Sequence, residues 1–222
     1  MATADIQSPA QPAADFNSAV RAAGRQALLT RLGALCARIN AAESSILRPQ
    51  GSSELVFFIS TNPMLMVADV PKVPIGESFA GIVYRTGQMV AVADAERQPG
   101  HFAGIDTVVG RATKEYAALP IADGSALLGV LTIVNRASAE QGTRPFSIDE
   151  LRIAQEVASE LVGPVAVLDT LDRSPAATNR DRIVEAFDDD FVSDLLALDA
   201  RGRRTVRAVV AALVHDQQID QQ

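Results

Sequence analysis

Leu28, Leu32, Leu35 and Ile39 recur at intervals of four, three and four residues, which is one face of an α-helix. The Ala and Arg between them are good helix formers, so the spacing predicts a helix over about 16–40. Two β-rich runs, 45–48 and 54–60, flank Pro49, Gln50, Gly51 and Ser52, a turn composition that predicts a hairpin. Phe79, Ile82 and Val83 suit a short helix with Gly87 at its C-cap, and 88–93 reads as a further strand. Residues 94–114 show no sustained period and are too long for a plain connection; long loops in compact domains are often functional. Strands follow at 115–121 and 127–135, joined through Asp123-Gly124, a hairpin signal.

Ser147 and Glu150 then form a capping box. Behind them Leu151, Ala154, Ala158, Leu161, Val165 and Leu168 make a stripe spaced by threes and fours, which Pro164 is expected to bend. This stripe runs past what one sheet face covers, so a second subunit is expected to bury it. Residues 1–15 carry few large apolar side chains and read as a disordered tail. At the other end 172–180 reads as a linker, and 181–216 as a helical hairpin. Its stripes are Val184, Phe187, Phe191, Leu195 and Leu198, then Val206, Val209, Val210 and Leu213. Seven acids between Asp181 and Asp199 face Arg201, Arg203, Arg204 and Arg207, an acid–base match within or between chains.

Composition narrows the chemistry. A 48% apolar and 21% charged chain can bury a core, and a net charge of −7 argues against nucleic acid or anionic membranes as the main partner. One cysteine and two histidines leave no metal-ligand spacing and no disulfide. No run of ~18 apolar residues or secretory pattern is present, so a cytoplasmic location is expected.

The element order gives an α+β fold, an antiparallel sheet with helices segregated to one face. Three collinear segments, VPIGESFAGIVYRTGQMVAVADAERQPGHF (73–102), YAALPIADGSALLGVLTIVNR (116–136) and PFSIDELRIAQEVASEL (145–161), resemble the GAF domain, a small-molecule sensor fold of bacterial regulators and phosphodiesterases. The resemblance implies a GAF-like domain over 16–171, and a pocket covered by 94–114. That cover offers Asp94, Arg97, His101, Phe102, Asp106, Thr113 and Lys114 as polar and stacking groups, with Phe58 from the first hairpin.

Asn135-Arg136, Phe146 and Asp149-Glu150 are similar to the Asn-Lys…Phe…Asp-Glu signature of cyclic-nucleotide-binding GAF domains, with Arg replacing Lys and a shorter Phe–Asp spacing. The resemblance implies an Arg136–Asp149 pair bracing the pocket. The residues alone allow a plainer reading, in which Asn135 ends a strand and the two acids favour a helix N-terminus. Cys36 shares a helix face with Leu29 and Leu32 and reads as a buried small hydrophobe. That position does not suit a bilin, and free-methionine-sulfoxide reductases of this fold need several pocket cysteines. His101 has no evident nucleophile, so no catalytic residue and no metal is expected.

The functional expectation is a cytoplasmic, non-enzymatic sensor or signalling protein. It is expected to pair as a homodimer through 16–40 and 148–170, with a protein partner at 181–216. The rival is an oligomerisation or scaffold module with an empty pocket. A cyclic-nucleotide regulator or a reductase stands behind both.

Overall fold

The computed structural model describes residues 10–137 and 144–173. They form α1 (Ala10–Ile39), β1 (Ala41–Gln50), β2 (Glu54–Ser60), a 3-10 turn (Pro63–Met66), β3 (Val73–Pro74), α2 (Phe79–Thr86) and β4 (Val90–Val92). A second 3-10 turn (Ala95–Arg97), α3 (Ala103–Val109), β5 (Tyr116–Asp123), β6 (Ala126–Arg136), α4 (Ile148–Glu160) and α5 (Val162–Arg173) follow. The six strands make one antiparallel sheet in the order β3-β2-β1-β6-β5-β4, the expected α+β fold.

The chain divides into two compact units. The larger, Leu28–Val162, contains the whole sheet. Strand alternation sends successive side chains to opposite faces. Register places Glu43, Ser45 and Leu47 of β1 opposite Val134, Thr132 and Val130 of β6, with Tyr116 and Ala118 of β5 alongside. That row forms one face. Ser44 and Ile46, with Ala117, Leu119, Leu131 and Ile133, form the other, where α4 packs on β5 and the Ser44 hydroxyl donates to the Leu32 carbonyl of α1 at 3.1 Å. Leu28, Leu32, Leu35 and Ile39 of α1 are buried, as are Ala154, Val157, Ala158 and Leu161 on or just after α4. Cys36 is buried too; burial pushes its thiol up, and it donates to Ser44 Oγ at 3.2 Å.

Two glycines are required by the sheet's close approaches. A Cβ on Gly129 would lie 2.4 Å from the Leu47 carbonyl oxygen, and one on Gly81 would lie 2.2 Å from that of Ile75. Both atoms belong to the backbone, so neither can step aside cheaply.

The smaller unit holds the start of α1, up to Ala27, and α5 from Gly163. Val165, Leu168 and Leu171 are buried here, and Leu168 sits over Gly24, where a Cβ would come within 3.0 Å. Arg21 and Arg25 pair with Asp172 at 3.4 and 3.3 Å. Of the stripe expected to need a second subunit, Ala154, Ala158, Leu161, Val165 and Leu168 are therefore buried within their own chain and Leu151 is half-buried.

Other boundaries also moved. Residues 10–15, read as tail, belong to α1: Ala-rich sequence extends a helix once nucleated, and Pro12 lies in the first turn, where a missing N–H costs little. Pro164 interrupts the long C-terminal helix at Leu161. A proline ring crowds the carbonyl four residues back, here Glu160, the last residue of α4. Asp172 and Arg173 lie in α5 rather than in a linker. Residues 174–216, with the rest of that linker and the hairpin read there, lie outside the described residues.

Candidate functional site

Residues 94–114 fold as a cap over the sheet's open face, and the sequence signal missed most of its order. The cap contains α3, a seven-residue helix of Ala, Gly, Asp106 and β-branched residues with no apolar period to announce it. Its end is set by Gly110 at φ 69°, whose N–H reaches the Asp106 carbonyl at 2.8 Å. Asp106 is the cap's internal anchor. Its Oδ2 accepts the Thr113 N–H at 2.9 Å, its Oδ1 accepts the Thr113 hydroxyl at 2.6 Å, and His101 Nε2 lies 3.0 Å from Oδ2.

Two further groups tie the cap to the sheet. Asn135, near the end of β6 at φ 57°, accepts the Lys114 N–H at 2.7 Å and donates to the Ala112 carbonyl at 3.1 Å. Asparagine tolerates this left-handed backbone better than most residues. Arg111 makes an ion pair with Glu43 of β1. On the other side of the cavity Ser78 caps α2, accepting the Gly81 N–H at 3.0 Å and donating to the Pro74 carbonyl.

Between cap and sheet lies a cavity of about 70 Å3. Its walls are mainly apolar: Leu47, Phe57 and Val134 from the sheet, Phe79 from α2, Phe102, Ile105 and Val109 from the cap, and Leu65 from the first 3-10 turn. Tyr116 lines it as well, its ring 5.3 Å from that of Phe79, and burial pushes its phenol above the ordinary range. Ser45, Thr132, His101, Asp106, Thr113 and Asn135 supply most of the polar lining.

The sequence-predicted residues therefore separate. His101, Phe102, Asp106, Thr113 and Asn135 come together at the cavity. Asp94, Arg97 and Lys114 are exposed and lie outside it, because their backbone, not their side chains, holds the cap: the Ala95 N–H donates to the Lys114 carbonyl at 2.7 Å. Phe58 is also away from the cavity. Leu47 pairs with Phe57, so alternation turns Phe58 to the opposite face, where the Arg48 guanidinium lies 4.2 Å from its ring centre. Glu43, Phe57, Arg111 and Tyr116 were missed. The period-two row Glu43, Ser45, Leu47 was the available signal, but it becomes informative only once the register is known.

The brace residues form a separate cluster. Arg136 is buried beneath the start of α4, and its two terminal nitrogens bind Glu150 at 2.7 and 2.9 Å. They also donate to the Ile39 and Pro145 carbonyls at 2.9 and 3.1 Å, and the guanidinium sits 4.3 Å from the Phe146 ring centre. The partner is thus Glu150, not Asp149. Glu150 occupies the third helical position, and its carboxylate folds back to accept the Ser147 N–H at 2.6 Å, completing the capping box beside Arg136. Asp149 is exposed and pairs with Arg152 one turn on. The Arg136 guanidinium holds the Glu150 carboxyl down at about 2.

Among the described residues no three His, Cys, Asp or Glu side chains gather as a metal site would require. Among them, too, no helix is long and apolar enough to cross a membrane.

A family model described as GAF domain matches residues 25–163, more than half of the chain. No curated protein matches. Similar solved structures include the GAF domain of a phosphoenolpyruvate-protein phosphotransferase from Coxiella burnetii, 18% identical, covering 77% of this chain and 100% of that one at a TM-score of 0.53. The corresponding Acinetobacter domain is 14% identical, covering 71% and 97% at 0.54. A type II free methionine-R-sulfoxide reductase from Thermoplasma acidophilum is 12% identical, covering 67% and 96% at 0.53. At these identities the likeness is one of fold.

Proposed function

Because the chain belongs to the GAF domain family, whose members occur in sensor and signalling proteins, we propose that it is a cytoplasmic sensor whose capped cavity takes a small molecule. The observation that carries this reading is the construction of the cap. Its links to the sheet include side-chain groups, Asn135 and the Arg111–Glu43 pair, and an apolar space lies beneath it. An apolar floor with a few placed polar groups is the usual make-up of a ligand site. The reading contains no catalytic step, and the signal leaves by protein contact. Native mass spectrometry of the protein as purified tests it, with a stoichiometric small-molecule adduct as the expected result. A bare polypeptide mass from several expression conditions favours the second reading, a scaffold module with an empty pocket. The cavity's small volume supports that reading.

The assembly we propose is a homodimer through 16–40 and 148–170, the stretches of α1 and of α4 with α5. The buried stripe is not its seam. The exposed Gly33, Ala34 and Ala37 of α1 offer a face of small residues, and a Cβ on Gly33 would meet nothing within 4 Å. Sedimentation at tens of micromolar is expected to give a dimer that Ala34→Arg converts to monomer; a monomeric parent protein rejects the proposal. Residues 181–216 are proposed to dock a protein partner. A chain ending at Arg173 should then keep its melting transition and lose that interaction.

A further inference from the structure

The cavity's charges are already matched. Glu43 is neutralised by Arg111, and Asp106 is engaged by His101 and by both the N–H and the hydroxyl of Thr113. Among the described residues no lining cation is left over for a phosphate or carboxylate, because Arg111 is taken up by Glu43 and His101 by Asp106. An anion entering here would lose its hydration without gaining a partner. The remaining polar group is Tyr116. Its hydroxyl makes no hydrogen bond within the described residues and keeps some accessible surface, while its ring lines the cavity and is packed against Phe79. A buried phenol normally finds a partner. The space is also small, about 70 Å3.

Resting on the sensing reading above, we propose that the cavity takes a small, uncharged organic molecule carrying one hydrogen-bonding oxygen, with Tyr116 as the group that meets the oxygen. The apolar wall supplies the contact area and Tyr116 the selectivity. The same charge matching leaves no cation for the phosphate of a cyclic nucleotide, and the space is small for one.

The test uses the full chain, amide-detected NMR and four probes: phenol, toluene, benzoate and cyclic AMP. Phenol is expected to shift the amides of Tyr116, Phe102 and Thr132 in a saturable way, with benzoate and cyclic AMP leaving them unmoved. Tyr116→Phe should weaken phenol about tenfold, the loss of one hydrogen bond, and leave toluene binding unchanged. The toluene titration and the amide spectrum together show whether the variant is folded. Equal phenol affinity in Tyr116→Phe overturns the role of Tyr116. Saturable benzoate or cyclic AMP binding at these amides overturns the uncharged class while leaving the sensing reading intact. No shift with any probe overturns this proposal alone if native mass spectrometry finds an adduct, and the sensing reading as well if it does not.

Discussion

The two faces of the sheet are built to different rules. On the helix face, α1 and α4 contribute fully buried leucines and alanines, and a buried charge there, Arg136, is held by four hydrogen bonds from its two terminal nitrogens and by an aromatic ring. On the cap face, short elements are held by individual polar bonds over a space they do not fill. Close packing resists any local change, whereas a cap tied at discrete points can give way without dissolving the core. One face makes the domain stable, and the other leaves room for a guest.

The sharpest way to break this contrast is on the helix face. Arg136→Met strands the Glu150 carboxylate and two carbonyls, and should cost about 3–5 kcal/mol of global stability in a urea titration. A cost below about 1 kcal/mol would place Arg136 on the permissive side.

Acid probes the same pair. Glu150 is held at about 2 against an ordinary 4.5, so its contribution is fully present above pH 4.5 and is lost as pH falls toward 2. At 1.36 kcal/mol per unit that is at most about 3 kcal/mol. Glu150→Gln should flatten the stability profile over that window.

Asp106→Ala moves to the other face. It removes three hydrogen bonds from a half-buried cap, and the expected cost is about 2 kcal/mol. Amide exchange should accelerate across 94–114 while β1 and β6 keep their protection. Acceleration in β6 as well would mean that the two faces are one cooperative unit.

The smallest effect is Phe102→Ala. The ring is half-buried, lines the cavity and lies over Gly104, so stability should fall by only about 1 kcal/mol. Phenol binding, measured by calorimetry, should fall with the lost stacking area.

The same division explains what the sequence made legible. The helix face announces itself because its residues repeat: Leu28, Leu32, Leu35 and Ile39 keep a period that survives burial, and Ser147 with Glu150 is a local capping pattern. The hairpins were readable from Pro49 to Ser52 and from Asp123-Gly124 for the same reason. The cap was not, because α3 depends on Asp106 reaching Thr113, a contact across seven residues that leaves no periodic trace. Site membership failed where it depended on parity. Phe58 and Phe57 are equivalent as letters, and only the pairing of Leu47 with Phe57 decides which one meets the cavity. Asp149 and Glu150 likewise differ by one helical position, and the capping box selects the second.

Asn135 and Arg136 are neighbours in the chain, yet one clamps the cap and the other clamps the start of α4. A single peptide unit therefore separates the two attachments, with no loop between them to take up slack. Rotation about the left-handed Asn135 backbone swings both side chains together. The two attachments therefore leave β6 from Cα atoms only about 3.8 Å apart.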